Sequence, residues 1–192
     1  MKLTKDNSHF SDSELGDLSK LTFKDRVKVA KQHYKVANRA TPNFDDLVQQ
    51  LHTLSVALPE KDEVDLDEIN KRFAIVQRYF TEASRISMDA IAIHTMWHRL
   101  KMDVLELVET RKSSLLLLPS IQGMKNVASQ NAAVRTKIER LLSFEHVVKT
   151  KEAEAKAFVQ IAEGKKKDLS NTMTNLSRMF KVLKLEHGVT NY

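Results

Sequence analysis

The chain has 192 residues and a formal charge of +6, with 42% apolar and 29% charged residues, 4 Gly, 3 Pro and no Cys. That length predicts one domain or slightly more. Without cysteine there is no disulfide scaffold, thiolate metal site or cysteine nucleophile, and so few glycines disfavour a turn-rich β protein or a glycine-rich nucleotide loop, so the composition points away from an enzyme.

Residues 1–22 read as a polar arm with one short amphipathic turn, in which Ser11 or Ser13 caps Glu14 to Leu21. Met1 to Phe10 contain no apolar h-region, so no secretory signal is visible. A first helix is predicted over about Lys24 to Arg39, stopped by Thr41-Pro42 because proline disfavours helical geometry in the residue before it. A second is predicted over about Asn43 to Leu58, with Asn43 as N-cap, Asp45 and Asp46 in the first turn, and Pro59 as the stop. Leu47, Leu51, Leu54 and Leu58 form its apolar stripe. An acidic link, Glu60 to Glu68, follows, and its charge favours the start of the next helix.

From Ile69 to Leu107 apolar residues recur every three or four positions, and neither Gly nor Pro interrupts the chain between Pro59 and Pro119. The pattern predicts one helix over about Leu66 to Lys112, roughly 70 Å long, which needs a partner along its length. One extra three-residue step, Ala83 to Ile86, shifts the heptad. A turn is expected over Ser113 to Gly123, with Leu115 to Leu118 plugging a hairpin tip or a neighbouring subunit. The last helix is predicted over about Met124 to His187, with Gly188 just past its end; the sequence leaves open whether it is continuous through Gly164 or bends or breaks there. The expected fold is therefore all-α: a long antiparallel, coiled-coil-like hairpin over 60–192, turning near 113–123, behind a small N-terminal helical subdomain over 1–59. Leu105, Val108, Leu142 and Val147 lie off the main seam, which favours side-by-side packing of hairpins in a homo-oligomer. Leu115 to Leu118 is the longest aliphatic run, far short of the roughly 20 residues a membrane span needs, so a soluble protein of a reducing compartment is expected, with no membrane partner.

Two basic stretches carry the functional signal. In the first helix Lys24, Arg26, Lys28, Lys31, Lys35 and Arg39 oppose only Asp25; towards the C-terminus Lys165, Lys166, Lys167, Arg178, Lys181 and Lys184 oppose only Asp168. Such clusters neutralise phosphates and release counterions, giving nucleic-acid affinity without sequence specificity. Tyr34 and Phe180 lie among these cations, where aromatic rings can stack on unpaired bases. His94 and His98 stand at i and i+4 on one helix face, but Thr95 replaces the Glu of a zinc-protease motif and no third ligand is evident nearby. They are read as edging the seam, with no metal assigned. Gly164-Lys165-Lys166-Lys167 lacks the preceding Gly and following Ser or Thr of a phosphate loop, and no catalytic residue or cofactor is assigned.

The run Ser177-Arg178-Met179-Phe180-Lys181-Val182-Leu183-Lys184 resembles the closing segment of UvsY-type phage recombination mediators, in which an Arg, an aromatic and an aliphatic-Lys step end a long helix. Those proteins are similar in being small, basic and all-helical, but the present chain has an N-terminal extension and a longer second helix. The resemblance implies a ring that binds single-stranded DNA through Arg178, Phe180, Lys181 and Lys184 and assists a RecA-like recombinase in the cytoplasm, that of the host for a phage protein. The expected function is a non-enzymatic, oligomeric nucleic-acid-binding accessory protein. The alternative is a structural subunit of a virion or filament that self-associates through the hairpin.

Overall fold

The computed structural model describes residues 21–59 and 65–186. The expected turn before Leu21, most of the acidic link and Gly188 lie outside those residues. Among the described residues there are five helices: α1 (Phe23–Ala40), α2 (Phe44–Thr53), α3 (Leu66–Leu116), α4 (Pro119–Gln122) and α5 (Val127–Glu186). No strand occurs among the described residues. The architecture is the expected long hairpin, α3 against α5, with α1 and α2 laid end to end along it.

Local chemistry sets most helix ends. Thr22 caps α1, its hydroxyl accepting from Asp25 N at 3.3 Å, and Asn43 caps α2, accepting from Asp45 N at 3.1 Å. Asp65 caps α3, accepting from Glu68 N at 2.7 Å, with Asp67 and Glu68 in the first turn where the helix dipole favours them. α2 stops at Thr53, well before Pro59: the Leu54 N–H tightens onto Leu51 O, Ser55 N–H turns onto Thr53 O, and the chain continues as a non-helical strap. Leu54 and Val56 pack into the core from that strap, and Arg72 Nη1 holds it by donating to Ala57 O at 2.7 Å. α5 starts at Val127 rather than Met124 because Asn126 caps it, accepting from Ser129 N at 2.7 Å. No break occurs at Gly164; α5 is continuous over 60 residues, about 90 Å.

The core is three clusters stacked along the rod. At one end Leu51 and Leu54 join Ile69, Val76 and Ala83 of α3 and Leu169 and Leu176 of α5. In the middle Ala30 and Ala37 of α1 seat on Trp97, Leu100, Val104 and Leu107, opposite Val148 and Ala155. At the tip Ile121 of α4 closes over Val108, Leu115, Val134 and Ile138. The expected plug is thus divided: α3 runs on to Leu116, Leu115 is buried, and Leu117 is 72% exposed. Of the off-seam residues, Val108 is buried and Val147 is exposed.

Buried rows on both long helices repeat every seven residues: Ile69, Val76, Ala83, Ala90, Trp97 and Val104 on α3, and Val134, Val148, Ala155, Ala162, Leu169 and Leu176 on α5 with half-buried Leu141 at the step between the first two. The main row runs straight through Ala83. What changes there is its companion, from Phe73 and Phe80 four residues after the row to Ile86, Ile93 and Leu100 three after it. A second row, Phe73, Phe80, Ser87, His94, Lys101, Val108 and Leu115, is apolar at its ends and polar in the middle. Its counterpart on α5, Ile138, Glu145, Glu152, Val159, Lys166, Met173 and Phe180, likewise carries its charges centrally.

Candidate nucleic-acid interface

On α1, residues Lys24, Lys28, Lys31, Lys35 and Arg39 are all exposed and spaced by three or four, so they form one stripe spanning about 22 Å of helix axis. The opposite side of the helix is fixed to the hairpin by Phe23, Val27, Ala30, Tyr34 and Ala37. The stripe is held rigidly towards solvent. Arg26 falls off it: its Nη2 donates to Glu106 Oε1 of α3 at 2.6 Å, so it anchors α1 instead of facing a ligand. His33 approaches Asp103 at 3.9 Å beside it; burial raises the Asp103 carboxyl, against the lowering charges of His33 and Arg99.

The C-terminal cations are dispersed. Consecutive helical residues point about 100° apart, so Lys165, Lys166 and Lys167 fan out around α5. Lys166 pairs with Glu163 at 3.2 Å, Lys165 is half-buried and Lys167 is exposed. Lys167, Arg178 and Lys181 share the outer face. Lys184 Nζ lies 4.9 Å above the Phe180 ring, which packs against the core. Tyr34 is likewise a packing residue, edge-on to Trp97 and to Phe144 at 5.7 Å each. The two rings are therefore half-buried against the core rather than held free as stacking platforms.

Nor do the two basic regions merge. Glu163 accepts a hydrogen bond from Ser87, whereas α1 reaches no closer to that end of α3 than Trp97, whose indole N–H donates to Thr41 Oγ1 at 2.8 Å. The regions sit on the order of 15–20 Å apart along the rod axis.

The histidines have a third companion. Glu152 of α5 is directed between them, with Oε1 3.1 Å from His98 Nδ1 and 3.5 Å from His94 Nε2. Lys101 Nζ, one turn further along α3, donates to the same oxygen at 3.0 Å. The Glu152 side chain is 12% exposed. Burial opposes its charge, but hydrogen bonds from Lys101 and His98 and the charges of Lys101 and His94 outweigh that and hold its pKa at about 2. His94 Nε2 is buried and makes no hydrogen bond. Sequence spacing could not show this group, because Glu152 belongs to the other arm; the available signal was a charged middle, Glu145, Glu152 and Lys166, in a seven-residue row of α5 that is apolar at its ends.

No protein-family model, curated protein or solved structure matches the chain. Among the described residues no helix is long and apolar enough to cross a membrane.

Proposed function

We propose that the protein is a non-enzymatic accessory factor that binds nucleic acid through the α1 stripe. The observation that carries this reading is that every position of an exposed helical row, Lys24, Lys28, Lys31, Lys35 and Arg39, is basic. Five cations on a rigid helix match a phosphate backbone and supply affinity without reading bases. The resemblance of 177–184 to UvsY-type mediators extends the proposal to single-stranded DNA, a homo-oligomeric assembly and a RecA-like recombinase as protein partner, with Lys167, Arg178 and Lys181 as a second, weaker contact.

Anisotropy titrations of labelled single-stranded and duplex oligonucleotides test it. Binding is expected at about 50 mM salt, falling with a log–log slope near −3.5 for five phosphates on a single strand. The triple change Lys28→Glu, Lys31→Glu, Lys35→Glu should abolish it. Absence of binding, or binding indifferent to that triple change, would falsify the proposal.

A second reading, a structural subunit, is favoured by a separate observation: Leu116, Leu117 and Leu118 lie exposed at the tip, and Met88, Ile91 and Met102 share one exposed face of α3. Light scattering separates the two readings, since a concentration-driven polymer indicates the structural subunit and a discrete small assembly the accessory factor.

A further inference from the structure

We propose that His94 and His98 of α3 and Glu152 of α5 form a binding site for one first-row divalent transition metal ion of the zinc class. Three side-chain atoms, one from each residue, lie within 4.8 Å of one another. In a tetrahedral zinc site with bonds of about 2.0–2.1 Å, neighbouring ligand atoms are roughly 3.3 Å apart. The two histidine-to-Glu152 separations, 3.1 and 3.5 Å, already have that value. Only the imidazole pair, ring centres 6.0 Å apart, has to turn inward.

The chemistry of the group agrees with its spacing. Two imidazoles and one carboxylate suit zinc, nickel, cobalt or copper, whereas calcium and magnesium take oxygen ligands. A metal bond satisfies His94 Nε2, a buried atom without a hydrogen bond. His98 is half-exposed, so a fourth position is open to water from its side. Lys101 fits the same logic, because its ammonium now stands on the carboxylate oxygen that a metal ion would take. Its side chain is 23% exposed on a flexible four-carbon stem and can withdraw to solvent when an ion enters. The ion and Lys101 are thus competitors for Glu152, and metal uptake joins the two arms of the hairpin across their interface.

Chelator-treated full-length protein, titrated with Zn²⁺ in a calorimeter and with Co²⁺ in a spectrophotometer, tests the site. The expected result is one ion per chain and the visible absorption of four-coordinate Co²⁺. His98→Ala and Glu152→Gln should each weaken uptake beyond the roughly 100-fold that losing an outer-shell partner causes, while Lys101→Met strengthens it. His146→Ala, outside the group, should change nothing. Circular dichroism checks each fold, and half-exposed His98 supplies the decisive variant should Glu152→Gln not fold. Failure to take up an ion stoichiometrically, or one ion per chain persisting in His98→Ala, overturns the assignment, as does Lys101→Met weakening it.

Discussion

Thr41, the C-cap of α1, links α1 to α3 through one hydroxyl. It accepts from the Trp97 indole at 2.8 Å and donates to Ala37 O at 2.7 Å, closing the end of α1 against the hairpin. Thr41→Val keeps the shape but strands a buried N–H, so unfolding free energy should fall by about 1–3 kcal/mol, while Thr41→Ser stays near wild type; urea midpoints followed by circular dichroism decide it. Glu152 makes a pH-dependent contribution of definite sign. Its folded-state pKa, about 2, lies below the ordinary 4.5, so its stabilisation is complete above about pH 4.5 and is lost as pH falls through 2. In metal-free protein Glu152→Gln should therefore cost up to about 3 kcal/mol at pH 7. The gap to wild type should narrow steadily below pH 4.5; a gap independent of pH would show that the lost contacts are not ionic.

At the level of elements, periodicity made the two long helices legible, because a rod that buries a stripe along its whole length must repeat that stripe in its sequence. The N-cap Asn43 was equally readable, being local, as was the acidic run that marks the start of α3. Two features were not. The continuity of α5 through Gly164 could not be read from the sequence: a lone exposed glycine costs a long helix only its propensity, and the packing of Ala162 and Leu169 on either side, which outweighs it, is a tertiary fact. The early end of α2 could not be read from its leucines, since Leu54 is buried and Val56 half-buried from a non-helical strap as readily as from another helical turn. Beyond its chain neighbours and the surrounding helix backbone, no atom lies within 4 Å of where a Gly164 side chain would begin. Gly164→Ala should accordingly stabilise the protein by about 0.5–1 kcal/mol. A loss of stability in thermal unfolding would mean that the helix exploits the glycine's freedom.

For the whole molecule, the position of α1 matters most. Charge totals identified two basic regions, but only the three-dimensional arrangement distinguishes a continuous stripe on α1 from cations fanned around α5, because sequence neighbours diverge on a helix while residues three or four apart converge. Reversing Lys165 and Lys166 to Glu should thus weaken nucleic-acid binding far less than the α1 triple change, and equal losses would place the contact elsewhere. The matched seven-residue rows of α3 and α5 also govern how this protein can change size. Adding seven residues to one arm slides every layer on the far side from the tip past its neighbour, and placed between His98 and the tip it separates Glu152 from His94 and His98. Adding seven to both at the same level lengthens the rod by about 10 Å and leaves each layer opposite its old companion. Insertions and deletions are therefore tolerated only as paired whole repeats, and any assembly of such rods takes its spacing from a length that varies in steps.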